Sequence, residues 1–316
     1  MKKKFLIVLS IFIIIAYLAS FLAIKLSYKS IESLKDPDSK FVEVCKINVH
    51  FKESGQGDKT ILLIHGFGAS IFSFRYVFAT LSKHFKVVAL DLPGFGLTER
   101  VSKSSCEFDP YSRMGQVEIV EKFIEALDLK GVYVIGHSMG ATVATILSIQ
   151  QPQLIKGLVL EDSAIYENGG SPKIITAILR NPIGKVLFPL FAYPLVLSLQ
   201  RIIKIAYFDQ AKVTEDIIQE YKKSLRVKNW DYGLYRIITA QNQSGFIDRI
   251  PEINIPVLII TGKEDKIVKP ENSEKLASII AKARLMEVSE CGHIPHEEAP
   301  EVFIDAVIRF IEESGF

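Results

Sequence analysis

The pentapeptide Gly136-His137-Ser138-Met139-Gly140 sets a serine hydroxyl between two glycines, after the apolar run 132–135 and before the helix-like segment 141–149. A serine on such a strand-to-helix turn has a strained backbone, and the glycines let helix and strand approach closely. Its hydroxyl would stand at the tip of a sheet, beside the positive end of the new helix. That is the setting of a nucleophile. A hydroxyl attacks only when a base takes its proton, so a histidine is required.

Six histidines are available: His50, His65, His84, His137, His293 and His296. His137 adjoins the serine, so its side chain should point away from the hydroxyl and support the turn. His65 follows a strand-like run and suits the shaping of a loop; His50 and His84 read as surface residues. His293 stands in Cys291-Gly292-His293-Ile294-Pro295-His296, a loop between the apolar residues 285–288 and the last helix, and is the expected base. His296 is the fallback, and otherwise bonds Glu297 or Glu298. The base needs an acid to fix its tautomer and stabilise the imidazolium. Asp265, just beyond the strand-like run 257–260, gives the chain order Ser138, Asp265, His293 expected when the nucleophile sits on such a turn. Asp162 is a competing acid and Glu264 a weaker one. Asp91, before Pro93 and Gly94, reads as a turn-former.

Attack on a carbonyl builds negative charge on its oxygen, which backbone N–H groups must meet. The amide of Met139 at the helix start is one expected donor. The second is Phe67, in the glycine-flanked segment His65-Gly66-Phe67-Gly68. No metal set competes, because Cys291, His293 and His296 lack a partner cluster. The glycines at 66 and 68 have neither the spacing of a dinucleotide loop nor a phosphate-binding lysine, so no cofactor is expected. The three cysteines, Cys45, Cys106 and Cys291, are widely spaced and read as isolated residues rather than a zinc or disulfide framework.

Short apolar runs carry these residues. Runs 61–64, 87–90, 132–135, 158–160 and 257–260 are separated by helical periodicity at 112–129, 141–149 and 302–311. That alternation predicts a mostly parallel, doubly wound sheet with its chemistry at the carboxyl ends of the strands. Residues 41–51 read as a hairpin-type strand pair. Residues 163–250 interrupt the pattern, with twelve Lys/Arg against seven Asp/Glu and no strand-then-glycine turn. They read as a basic helical cap over a mildly acidic sheet.

The 316 residues, 48% hydrophobic and 23% charged, are ample for one large α/β core and exclude disordered and collagen-like classes. Residues 5–24 carry no charge and follow three lysines; as a helix they reach roughly 30 Å, enough to cross a bilayer. With no small-x-small cleavage site, the expectation is an uncleaved single-pass anchor. The lysine balance slightly favours an extracytoplasmic domain. The net charge of +2 points to no nucleic-acid partner.

Together, LLIHGFGAS (62–70), DLPGFGLT (91–98), GHSMGA (136–141), GKEDKIV (262–268) and CGHIPHEEAPEVF (291–303) resemble the α/β-hydrolase superfamily, in its branch of capped serine hydrolases. The resemblance implies an eight-stranded sheet and a Ser138–His293–Asp265 triad, with Phe67 and Met139 as oxyanion donors. The nucleophile is serine, where dehalogenases and epoxide hydrolases of the superfamily use aspartate. Ring-cleavage carbon–carbon hydrolases look like GNSMGG, whereas this chain has His137 and, in place of a frequent glycine, Ala141. The layout is similar to membrane-anchored monoacylglycerol lipases. The expected organisation is an anchor (1–28), a stalk (29–40), two core halves (41–162 and 251–316) and a cap (163–250). The expected activity is hydrolysis of apolar acyl or lipid-like esters. The alternatives are carbon–carbon hydrolysis, haloperoxidase-like perhydrolysis, or a ligand-binding receptor on the same fold. The uncharged run 186–199 in the cap is too short to span a bilayer and reads as an apolar pocket roof or an interfacial segment.

Overall fold

The computed structural model describes residues 2–167, 173–240 and 245–314. One eight-stranded sheet runs in the order β1-β2-β4-β3-β5-β6-β7-β8. Its strands are β1 (Lys40–Val44), β2 (Ile47–Ser54), β3 (Thr60–Ile64), β4 (Lys86–Leu90), β5 (Val132–His137), β6 (Ile155–Glu161), β7 (Val257–Gly262) and β8 (Ala283–Val288). β1 and β2 form an antiparallel hairpin, and β2 pairs antiparallel with β4. Every other pairing is parallel. The apolar runs are continuous rather than alternating because central parallel strands are covered on both faces, and all five residues of β3 are buried.

Two helices precede the sheet, α1 (Lys2–Ser27) and the short α2 (Ile31–Leu34). Between strands lie α3 (Phe78–Leu81), α4 (Arg113–Ala126) and α5 (Met139–Gln150). Then come α6 (Lys173–Arg180), α7 (Pro182–Ala206), α8 (Glu215–Lys223) and α9 (Trp230–Thr239), all between β6 and β7. α10 (Pro270–Ile279), α11 (Pro295–Glu298) and α12 (Pro300–Glu313) complete the fold. Ser112 caps α4 through its hydroxyl, accepting from the Gly115 amide. Leu62, Ile64, Val88 and Val134 face one side of the sheet with Val120, Phe123 and Ala144. Ile61, Leu63, Val87 and Ile135 face the other with Phe303 and Val307 of α12.

Five expectations need correction. Cys45 and Cys106 are joined as a disulfide, their Cα atoms 5.2 Å apart. The tight β1–β2 turn, where Cys45 and Lys46 both take positive φ, carries the first thiol to the segment after β4. His50 is buried, its ring between the Asp91 carboxylate at 2.6 Å and the Ser39 hydroxyl at 2.9 Å. Asp91 also accepts from the Ile71 and Leu97 amides, so it ties loops together rather than merely turning the chain. Residues 29–39 are docked rather than extended: the Lys29 amide bonds the Arg226 carbonyl, and the Asp36 carboxylate meets Lys52 and Lys223 at 2.8 and 2.6 Å. The apolar run 186–199 is the middle of a 25-residue helix, α7, because its basic neighbours Lys185 and Arg201 point outward and leave the helix uninterrupted.

Candidate active site

Ser138 stands between β5 and α5 with φ +52°, a conformation that costs an L-residue about 1–3 kcal/mol and must be held from outside. Its amide bonds the Glu161 carbonyl at 2.8 Å, and its carbonyl accepts from Thr142 and Ala164. Gly136 and Gly140 are required by space: a Cβ at Gly140 would lie 2.2 Å from the Ile64 carbonyl oxygen, and one at Gly136 2.5 Å from the Gly140 oxygen. Strand, serine and helix are therefore packed without room for a methyl group.

His293 and Ser138 line one cavity of about 280 Å³. The His293 Nδ1 donates to Asp265 Oδ2 at 2.7 Å, which directs Nε2 away from the acid. Asp265 Oδ1 accepts from the Ile267 and Val268 amides at 2.6 and 3.0 Å, so the carboxylate is oriented by its own loop. Such a pairing fixes the imidazole tautomer that a general base needs. Phe67 borders the same cavity, and Met139 opens α5 beside it. Among the described residues neither the Phe67 nor the Met139 amide has a hydrogen-bond acceptor. Both are free to meet a developing oxyanion.

The other acids lie elsewhere. Asp162 makes no hydrogen bond to His293; its Oδ1 accepts from the Thr261 hydroxyl at 2.6 Å and the Gly262 amide at 3.2 Å, and Oδ2 has no hydrogen-bond partner among the described residues. Burial, together with the Asp265 charge, pushes the Asp162 carboxyl well above the ordinary carboxylate range. Glu264 accepts instead from the Cys291 amide at 2.9 Å. Ligand atoms of Asp162, Asp265 and His293 lie within 4.8 Å of one another, but His293 and Asp265 are committed to each other. The remaining such group, Cys45, Cys106 and Glu118, contains the disulfide.

His296 does not bond Glu297 or Glu298 as expected; it belongs to a buried polar network near His293 that draws on distant segments. His296 bonds Glu161 through Nδ1 at 2.7 Å, and its Nε2 lies 2.7 Å from the Ser73 hydroxyl oxygen. Ser73, His296 and Glu161 have the outline of a second triad, and proton accounting removes it. Ser73 gives its one proton to Glu297 at 2.7 Å, so His296 Nε2 meets only lone pairs on that oxygen and cannot act on it as a base. Glu297 accepts in addition from Arg75 at 2.6 Å and from the hydroxyls of Tyr207 and Tyr221. Burial alone would raise this carboxyl, but Arg75 and His296 outweigh burial and hold it below its usual range. Glu298 accepts from the Phe208, Asp209 and Gly292 amides, and the His293 amide donates to the Ala206 carbonyl at 2.7 Å. The loop that carries His293 is thus also the seat of the helices between β6 and β7. Apart from the Gly292–Glu298 bond, chain distances of 76 to 224 residues hid these contacts from the sequence.

The cavity is walled by Leu195, Leu199, Ile203, Trp230 and Leu234 from α7 and α9, and its lining holds no lysine or arginine among the described residues. Comparison with known proteins agrees with this architecture. The family model for the alpha/beta hydrolase fold matches residues 59–300. An uncharacterized hydrolase of Bacillus subtilis, YugF, is 27% identical over 272 residues, 84% of this chain and 95% of that protein. A 2-hydroxy-6-oxononadienedioate/2-hydroxy-6-oxononatrienedioate hydrolase of Paraburkholderia xenovorans is 27% identical over 286 residues, 86% of this chain and 95% of that one. The solved meta-cleavage product hydrolase of Pseudomonas fluorescens superposes with a TM-score of 0.70 at 22% identity, over 87% of this chain and 98% of that one.

Proposed function

The chain belongs to the α/β-hydrolase fold family, and on that premise we propose that it is a serine hydrolase of apolar acyl esters, tethered to a membrane by α1. Ser138 attacks the acyl carbonyl while His293 takes the hydroxyl proton and passes it to the departing alcohol. The Phe67 and Met139 amides receive the oxyanion, and Asp265 stabilises the imidazolium. Water, activated by His293, then releases the acid and restores the serine. The observation that carries this reading is the shared cavity of Ser138 and His293, with His293 held to Asp265 at 2.7 Å.

Carbon–carbon hydrolysis of a ring-cleavage product is the second reading, supported by the name of the Paraburkholderia relative. The substrate named there is a dioate. A dianion buried in this lining would find no cationic side chain, which is costly unless it is paired. An apolar acyl chain incurs no such cost, so the ester reading is preferred. The disulfide supports a domain outside the reducing cytosol. The test is turnover of p-nitrophenyl esters of graded chain length beside a 2-hydroxy-6-oxo-dienoate, with Ser138→Ala as control. Ester turnover, favoured by longer chains and reduced by roughly 10⁴-fold or more in the variant, is expected. Undiminished turnover by Ser138→Ala, or turnover of the dienoate alone, would overturn the proposal.

A further inference from the structure

One face of α1 is covered and the rest is bare. Residues 16, 17, 20, 23, 24 and 27 are at least half-buried at helical spacing, while the described side chains from 7 to 15 are all exposed. The covered face lies on α7: Ile24 is fully buried against Phe188 and Ala192, with Trp230 and Leu234 behind them. If residues 5–24 cross the hydrocarbon core, positions 16–24 lie inside it, since a helix advances about 1.5 Å per residue over roughly 30 Å. Whatever is packed against those positions is carried to the same depth. That element is α7.

The outward face of α7 suits that depth. Val186 and Leu197 are 59% and 69% exposed, with Ile183, Phe191 and Ile205 also bare. From Lys173 to Phe208 there is no acidic residue and there are five basic ones. An apolar strip of this extent, edged with cations, matches a bilayer with anionic head groups. The same helix roofs the cavity that holds Ser138. Leu195 and Ile202 line that cavity while remaining 37% and 41% exposed, as do Phe67 and Ile267, so the cavity's rim is continuous with the bare face of α7.

We propose that the cavity opens into the lipid phase and takes single-chain acyl esters laterally from the bilayer, with α7 lying in the membrane beside α1. The inference rests on the ester-hydrolase reading for its substrate but not for its geometry. Two measurements on the full chain, in vesicles of phosphatidylcholine with phosphatidylglycerol, test it separately. In Leu197→Cys the new thiol is the accessible one, since Cys291 is buried and the other two are joined. A nitrobenzoxadiazole probe there should be quenched by doxyl-labelled acyl chains and shielded from aqueous iodide. Quenching by iodide alone overturns the proposal. In Val186→Glu/Leu197→Glu, the rate on vesicle-embedded ethyl oleate relative to soluble p-nitrophenyl acetate should fall at least tenfold; an unchanged ratio overturns it. Should the unaltered protein turn over neither ester, the ester-hydrolase reading fails, and the probe still decides where α7 lies.

Discussion

His137 donates its Nε2 proton to the main-chain carbonyl of His293 at 2.8 Å, so the residue preceding Ser138 holds the backbone of His293. Burial, and then the neighbouring His293 and His296, keep the His137 ring well below its ordinary pKa. It therefore stays neutral with its single proton fixed on Nε2, and Nδ1 has no hydrogen-bond partner among the described residues. This bond ties the residue before Ser138 to the backbone of His293 independently of the proposed triad.

Replacement of His137 by leucine should lower kcat by about tenfold with little change in KM, since the bond positions a catalytic group without binding substrate. His137→Asn, whose amide can still donate, should recover part of the loss. Steady-state kinetics on a soluble ester checks both. Equal kcat in all three proteins would show that the bond does not position the base.

The two buried acids should separate cleanly. Asp265→Asn loses the partner that fixes the imidazole tautomer, and kcat should drop by about 10⁴-fold. Asp162→Asn should leave kcat within the same order of magnitude, because Asp162 does not bond the imidazole. Its effect belongs to stability. The Asp162 carboxyl is held well above the ordinary range in the folded chain, so between its unfolded and folded pKa values the native state binds the extra proton. Stability then falls as pH rises through that window, by up to about 1.4 kcal/mol per pH unit. The asparagine variant lacks this loss, so its melting temperature should gain on the parent's as pH rises from 4 to 7. A constant difference across that range would refute the protonated-carboxyl assignment.

The disulfide gives a direct count. Denatured without reductant, the chain should release one titratable thiol, Cys291, and with reductant three. Cys45→Ser/Cys106→Ser should lower stability by about 2–4 kcal/mol, read by urea unfolding. Three thiols without reductant would contradict the pairing.

The strands that place Ser138 and Asp265 were readable because central parallel strands are unbroken apolar runs that end in glycine turns. Periodicity at 112–129 and 302–311 likewise marked α4 and α12 to within a few residues. What was not readable depends on encounters between distant segments. Nothing local marks Cys45 for Cys106, 61 residues away, and nothing marks His50 for burial until Ser39 and Asp91 arrive on either side of it. Glu297 looks like an ordinary surface acid beside a proline until Arg75, Tyr207 and Tyr221 converge on it. The length of α7 was obscured by Lys185 and Arg201, which interrupt a hydropathy run but not a helix whose charged side chains reach outward.

The bond from the His293 amide to the Ala206 carbonyl, with Glu298 gripping the Phe208 and Asp209 amides of that segment, bears on how this scaffold can be re-engineered. A chimera that imports a foreign lid while keeping the native carboxyl-terminal loop would leave the imidazole without its footing. Residues 206–209 and 291–298 are one transplantable part, and swaps among relatives should be cut so that both halves travel together.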